Sequence, residues 1–268
     1  MSHRTFLRRH PVFTGEELTA HLASRGELRP RTKESLLAYH TGTGRVLRIR
    51  RGLYAVIPPG SDRDSYPVDP FLIASRLTGD AVLSHHTALE YHGRAYSVWQ
   101  HLIYSAARPL KTLEFRAQTY RGTRFPESLR RAGQEHFGVL ESEQSGVALK
   151  VTSLERTLVD VMHRPFLGGG WEEIWRSLES VEFFNVESVV AYTLLLGNAT
   201  TCAKVGFFLE QHRDALMIDG CDLQQLRDRR PAQPHYMDRG ARGTGRLFPA
   251  WNLVVPEELA EKPWEGSM

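Results

Sequence analysis

Arg48, Arg50 and Arg51 stand within four residues of one another, and Arg45 lies just upstream. Leu47 and Ile49 fall between them, the period of a half-buried strand. That alternation sets the arginines on the face opposite the one packed by Leu47 and Ile49. Guanidinium groups so placed suit phosphates or a DNA minor groove. Upstream, Arg31, Thr32, Lys33 and Ser35 are polar donors in the first turns of a helix predicted over Arg31–Tyr39. Donors at the start of a helix can meet base edges in a major groove. The plainer alternative is a small helical domain that contacts protein through this surface.

The flanking residues predict the elements that would hold these groups. Phe6, Leu7 and His10 suggest a short helix ending before Pro11. Thr14-Gly15-Glu16-Glu17 has capping-box spacing, and Phe13 with Leu18 forms the matching hydrophobic staple. A helix is therefore predicted over Gly15–Ser24, closed near Gly26. Pro30 precedes the next helix, in which Leu36 and Leu37, with Tyr39 or His40, turn inward. Arg51-Gly52 is a tight turn, and Leu53–Ile57 returns as a second strand. Three helices followed by a two-stranded ribbon is the order of a winged helix-turn-helix, expected over residues 1–57. Pro58, Pro59, Pro67 and Pro70, with Gly60 and Asp62, mark a linker over 58–70.

Composition supports this division. At roughly 150 residues per domain, 268 residues suggest two domains. An apolar content of 41% with 24% charged residues is that of a soluble globular chain, and argues against disorder, collagen or coiled coil. Residues 1–57 hold eleven Lys/Arg against four acidic groups, a net +7, whereas the remaining residues sum to −4. A basic head on a mildly acidic body can neutralise phosphates and release counterions. The longest apolar run, Val189–Leu196, is too short to span a membrane. No apolar stretch follows Arg4, Arg8 and Arg9, so no signal peptide is expected. Cys202 and Cys221 then read as free thiols in a cytoplasmic protein.

Residues 71–268 read as a larger mixed α/β domain, making the chain α+β. Val98, Leu102 and Tyr104 alternate like a strand, as do Leu113, Phe115 and Ala117, and Val147, Leu149 and Val151. Ser84 is expected to cap a helix over Leu83–Gly93, and Thr152-x-x-Glu155 to open one carrying Leu154, Leu158 and Val161. Trp171, Ile174, Trp175 and Leu178 mark an amphipathic helix. Further helices fall near 186–196 and 203–216, and a strand near Trp251–Val255.

Other groupings are read plainly. His86 and Glu90 share a helix face and could chelate, but nothing nearby completes a metal set. Gly168-Gly169-Gly170 could cradle a phosphate at a helix start. No Lys-Ser/Thr follows it, and Glu172-Glu173 would repel an anion. Arg156 and Asp160 are i,i+4 and read as an ion pair. Arg227, Arg229, Arg230, Arg239 and Arg242 form a second basic cluster, either a solvated loop or a surface for DNA or an acidic partner.

Six segments in order resemble the AbiEi-type antitoxins and transcriptional regulators of type IV toxin–antitoxin (abortive infection) systems. They are Gly44–Val56, Val82–Gly93, Val151–Pro165, Gly169–Leu178, Lys204–His212, and His235–Gly240 with Trp251–Pro256. The resemblance implies a winged-helix repressor of its own operon that binds repeats in the promoter. It further implies a C-terminal domain that neutralises a cognate nucleotidyltransferase-like toxin, and it carries no active site onto the chain. The reading helix varies among such proteins, so its target sequence does not transfer.

The reading is thus a DNA-binding autorepressor and antitoxin with no catalytic residue, cofactor or metal. Arg31, Thr32, Lys33 and Ser35 are assigned to bases and phosphates, and Arg45, Arg48, Arg50 and Arg51 to the wing. Two copies on paired half-sites are expected, as a homodimer or a cooperative pair. The alternatives are an orphan regulator whose body binds a ligand or protein, and a toxin-modifying enzyme. No Walker-type loop supports the enzyme.

Overall fold

The computed structural model describes residues 3–27, 31–238, 240 and 245–260. The predicted Pro30, and Arg239 and Arg242 of the second basic cluster, lie outside them. The chain opens with α1 (His3–Arg9), β1 (Val12–Thr14), α2 (Gly15–Ser24), α3 (Thr32–Gly42), β2 (Val46–Arg50) and β3 (Leu53–Val56). Then come α4 (Pro70–Ser75), β4 (Val82–Leu83), α5 (His86–Tyr91), β5 (His101–Ala106), β6 (Leu113–Phe115) and β7 (Gln118–Arg124). These are followed by α6 (Glu127–Ala132), β8 (Val139–Gln144), β9 (Val147–Thr152), α7 (Leu154–His163), α8 (Trp171–Glu179) and α9 (Val186–Leu196). The last elements are α10 (Ala199–Gln211), α11 (Gly220–Arg227), β10 (His235–Tyr236), β11 (Arg246–Phe248), β12 (Leu253–Val255) and α12 (Glu257–Ala260). The class is α+β. Residues 58–69 contain no helix or strand, and Pro70 opens α4. Among the described residues no helix is long and apolar enough to cross a membrane.

Two compact units result. One comprises Met1–Thr87, Trp99–Arg124 and Leu140–Val151, and the other Ala88–Val98, Phe125–Val139 and Thr152–Met268. Strand pairing joins residues far apart in sequence, so the units cut across chain order.

In the first unit, β1, β3 and β2 form an antiparallel sheet in that order, with Val12 and Leu47 both paired to Ala55. Phe6, Phe13, Leu18, Leu22 and Val46 form a core beneath the helices, joined by Leu7, Leu36, Leu37, Tyr54 and Val56. The expected packing of β2 is corrected here. Val46 is the buried residue, Leu47 and Ile49 are half-buried, and a bulge falls between Arg48 and Arg50. Val46 and Arg48 pair with Val56 and Tyr54, so Arg48 shares the helix-packed side of the strand although it is exposed.

The same unit holds a six-stranded sheet in the order β6-β7-β5-β4-β9-β8. β5 runs parallel to β7 and β4 parallel to β9, while β4–β5 and β6–β7 are antiparallel. The predicted alternation fails at β5. Residues Leu102–Ala106 are all buried, the pattern of a strand covered on both faces, and Val98 is 93% exposed outside it.

The second unit is mainly helical. Leu158, Val161, Ile174, Trp175, Leu178, Val189, Phe207, Phe208 and Trp251 meet in one core. Gly206 lets α10 close on the indole, since a side chain there would run into the Trp251 ring. The stripe predicted on α8 is the buried one, except that Trp171 is only half-buried. α10 starts at Ala199, capped by Asn198, earlier than expected. Parallel β10 and antiparallel β11 flank β12.

Candidate nucleic-acid interface

The capping box at α2 forms as its spacing requires. Thr14 Oγ1 accepts from Glu17 N at 3.1 Å, and Glu17 Oε2 accepts from Thr14 N at 2.6 Å. The Gly15 amide donates to Gly52 O at 2.8 Å, which ties the start of α2 to the hairpin turn. Gly52 has φ +83°, a conformation few other residues adopt, so Arg50 and Arg51 are delivered at a tight bend.

α3 differs from its predicted bounds. It begins at Thr32 and runs to Gly42, and Arg31 precedes it in the left-handed region at φ 70°. Leu36 and Leu37 turn inward as expected. Of the next pair His40 is half-buried, whereas Tyr39 is 61% exposed.

Three of the predicted residues converge. Lys33, Arg50 and Arg51 line one cleft of about 720 Å³ in the first unit, with Glu16, Glu17 and Arg76 on its walls. Arg76 was not legible from sequence. Its Nε lies 3.0 Å from Glu17 Oε1, and its Nη1 donates to Ala148 O at 3.0 Å. It therefore pins α2 to β9 across long stretches of chain. No spacing rule signals such a contact.

The other predicted residues stand apart from that cleft. Arg31, Ser35 and Arg48 are exposed, and Thr32 is half-buried. Arg48 Nε makes a long bond to Arg50 O, 3.4 Å. Arg45 lines a different groove, beside Arg4 and Arg8. Arg50 is half-buried, with its Nε shielded from water and, among the described residues, without a hydrogen-bond partner. Burial pushes the Tyr104 phenol up, while the Leu110 amide and the charge of Arg50 pull it down. Arg50 thus lines the cleft, and its charge is felt at Tyr104 of β5.

One solved structure, the RV2827C protein from Mycobacterium tuberculosis, is similar in fold. The likeness covers 94% of this chain and 89% of that one, with a TM-score of 0.55 and 18% identity. No protein-family model matches the chain, and no curated protein matches it significantly.

The remaining groupings make mostly internal contacts. Ser84 does not lie next to the start of α5, which begins at His86. Its Oγ sits 2.9 Å from Ser105 Oγ and 3.0 Å from His85 Nδ1. His86 stacks on Trp99 at 4.2 Å, and His92 Nε2 bonds Thr152 O at 2.8 Å. Among the described residues no three His, Cys, Asp or Glu are grouped to hold a metal ion. The expected cap of α7 moves by one residue. Ser153, not Thr152, accepts from the Arg156 amide, because Thr152 is still in β9.

After Gly168-Gly169-Gly170, Glu173 is buried and accepts from Ser97 N at 3.0 Å and Ser97 Oγ at 2.6 Å. A carboxylate there disfavours phosphate. Arg156 and Asp160 form a buried pair at 3.3 Å, with Asp160 also accepting from Tyr192 Oη at 2.7 Å. Arg227 pairs with Glu210, which accepts from Trp251 Nε1 at 2.6 Å.

Proposed function

We propose that this chain is a DNA-binding transcriptional repressor whose first 57 residues are a winged helix. The element order α1-β1-α2-α3-β2-β3 and the sheet order β1-β3-β2 support that reading. The observation that carries it is the cleft shared by Lys33, Arg50 and Arg51. It brings one cation from the first turn of α3 and two from the hairpin to one concavity, as reading helix and wing must be on one duplex. Arg31 just before α3, Ser35 on α3 and Arg48 on β2 add exposed donors. The net +7 of residues 1–57 supplies the long-range attraction.

The remainder is proposed as the part that neutralises a nucleotidyltransferase-like toxin encoded alongside, a reading that rests on the resemblance of the ordered segments. DNase I footprinting on the promoter of the chain's own operon tests the first half. Protection of paired repeats is expected, and absence of any duplex binding at about 50 mM salt would refute it. Coexpression with the neighbouring reading frame tests the second. Rescue of growth supports it, and unrelieved toxicity with the antitoxin visibly expressed removes it.

A further inference from the structure

A second concavity in the first unit, about 600 Å³, shares no residue with the basic cleft. Its walls come from α1, the later half of α3 and the chain leaving β3. Leu7, Leu36, Val56 and Pro58 supply apolar surface, and Tyr39 stands 61% exposed at its lip. Arg4, Arg8 and Arg45 line it too, all exposed, and among the described residues no Asp or Glu does. Nor, among the described residues, has any of these three arginines an acidic partner.

Two features call for opposite ends of one ligand. The apolar walls gain from covering hydrocarbon, and the guanidinium groups gain from meeting an anion. A nucleic-acid backbone would leave the apolar walls unsatisfied. A second copy docked symmetrically would bring the same arginines face to face. The volume falls within the roughly 300–1,000 Å³ of small-molecule sites. The neighbouring prolines Pro58 and Pro59 fix part of the wall before anything binds.

We infer that this groove binds a small amphipathic organic anion, an apolar ring system or chain ending in a carboxylate or sulfonate. The inference goes beyond the DNA reading and does not depend on it.

Fluorescence titration of the full chain with 8-anilinonaphthalene-1-sulfonate tests it, alongside N-phenyl-1-naphthylamine, a close analogue without the sulfonate. The sulfonate dye is expected to bind at least about tenfold more tightly, a difference of about 1.4 kcal/mol. The double variant Arg8→Glu/Arg45→Glu should weaken the sulfonate dye at least about tenfold and the neutral dye by less than about twofold. Far-UV circular dichroism and the melting temperature confirm that the variant is folded. Decanoate should displace the dye, and amide shifts should centre on Leu7, Leu36, Tyr39 and Val56.

Equal affinity for the two dyes would overturn the inference. So would undiminished sulfonate binding by the folded variant, or shifts centred elsewhere. Displacement by an amphipathic Glu/Leu helical peptide but not by decanoate would also overturn it, in favour of a protein partner. Absence of duplex binding by the unaltered chain, with these dye results intact, would sink the repressor reading alone.

Discussion

Arg156 carries a permanent charge at 1% side-chain exposure, and three acceptors keep it tolerable there. Asp160 faces its Nε, while the carbonyls of Glu135 and Phe137 each accept from Nη1 at 2.7 Å. Asp160→Ala removes the only carboxylate of that set and also the acceptor of the Tyr192 hydroxyl. Breaking one side of a buried pair typically costs about 3–5 kcal/mol. Urea denaturation should show a loss of that order, and the double change Arg156→Met/Asp160→Leu should recover much of it. The two cysteines differ for a related reason. Burial pushes the Cys202 thiol up to about 11, whereas Cys221 is exposed. A thiolate is the reactive species, so a disulfide reagent at neutral pH should label Cys221 quickly and Cys202 only after denaturation. At the surface, Lys33→Ala should change which sequences are preferred. Arg48→Ala with Arg51→Ala should instead weaken all sequences and reduce the salt slope by about 0.9 for each phosphate no longer neutralised. Gel-shift titrations at several salt concentrations separate these outcomes. An unchanged slope would take the hairpin out of the interface.

Among the elements, α2 was the most legible, because its cap, staple and first turn lie within a few residues and act locally. Thr14→Ala should cost about 1 kcal/mol, read as a lower melting temperature. The hairpin turn was legible for the same reason, since Gly52 meets a purely local demand. Faces were harder to read. Apolar alternation named Leu47 and Ile49 as the packed side of β2, yet the bulge and the cover on both sides of the sheet give Val46 the deepest place. Ser153 caps α7 in place of Thr152 because β9 pairs with β4 at Val151, and a strand that long uses up Thr152. The convergence of Lys33, Arg50 and Arg51 was foreseen only as a topology, and Arg76 not at all. Both depend on distances that chain spacing does not encode. At the end of α7, burial lowers the His163 pKa below its ordinary value, and the Arg164 charge adds to this. The native state then refuses a proton that the unfolded chain accepts. Stability is therefore full above the ordinary histidine range of about 6.5 and falls as pH drops through it. His163→Gln should flatten that part of the stability curve between about pH 7.5 and 5.5, as measured by denaturant unfolding.

Over the whole molecule the charge asymmetry decides what kind of DNA binding to expect. A net +7 confined to residues 1–57 gives a strong pull toward any duplex, and a sum of −4 elsewhere adds nothing to it. On the repressor proposal, a head with one reading helix and one hairpin covers few base pairs. Specific affinity then has to come from two heads on one site, because the second binding event becomes effectively intramolecular once the first is made. Half-sites for two such heads should lie on one face of the duplex, about 10–10.5 base pairs apart centre to centre or a multiple of that. The spacing can be tested whatever the operator sequence proves to be. Inserting about five base pairs between the two protected repeats moves one head to the opposite face, and should lower affinity more than inserting a full turn of about ten. If both insertions act alike in quantitative footprinting, the heads bind independently, and the specificity must then reside within the contacts of a single copy.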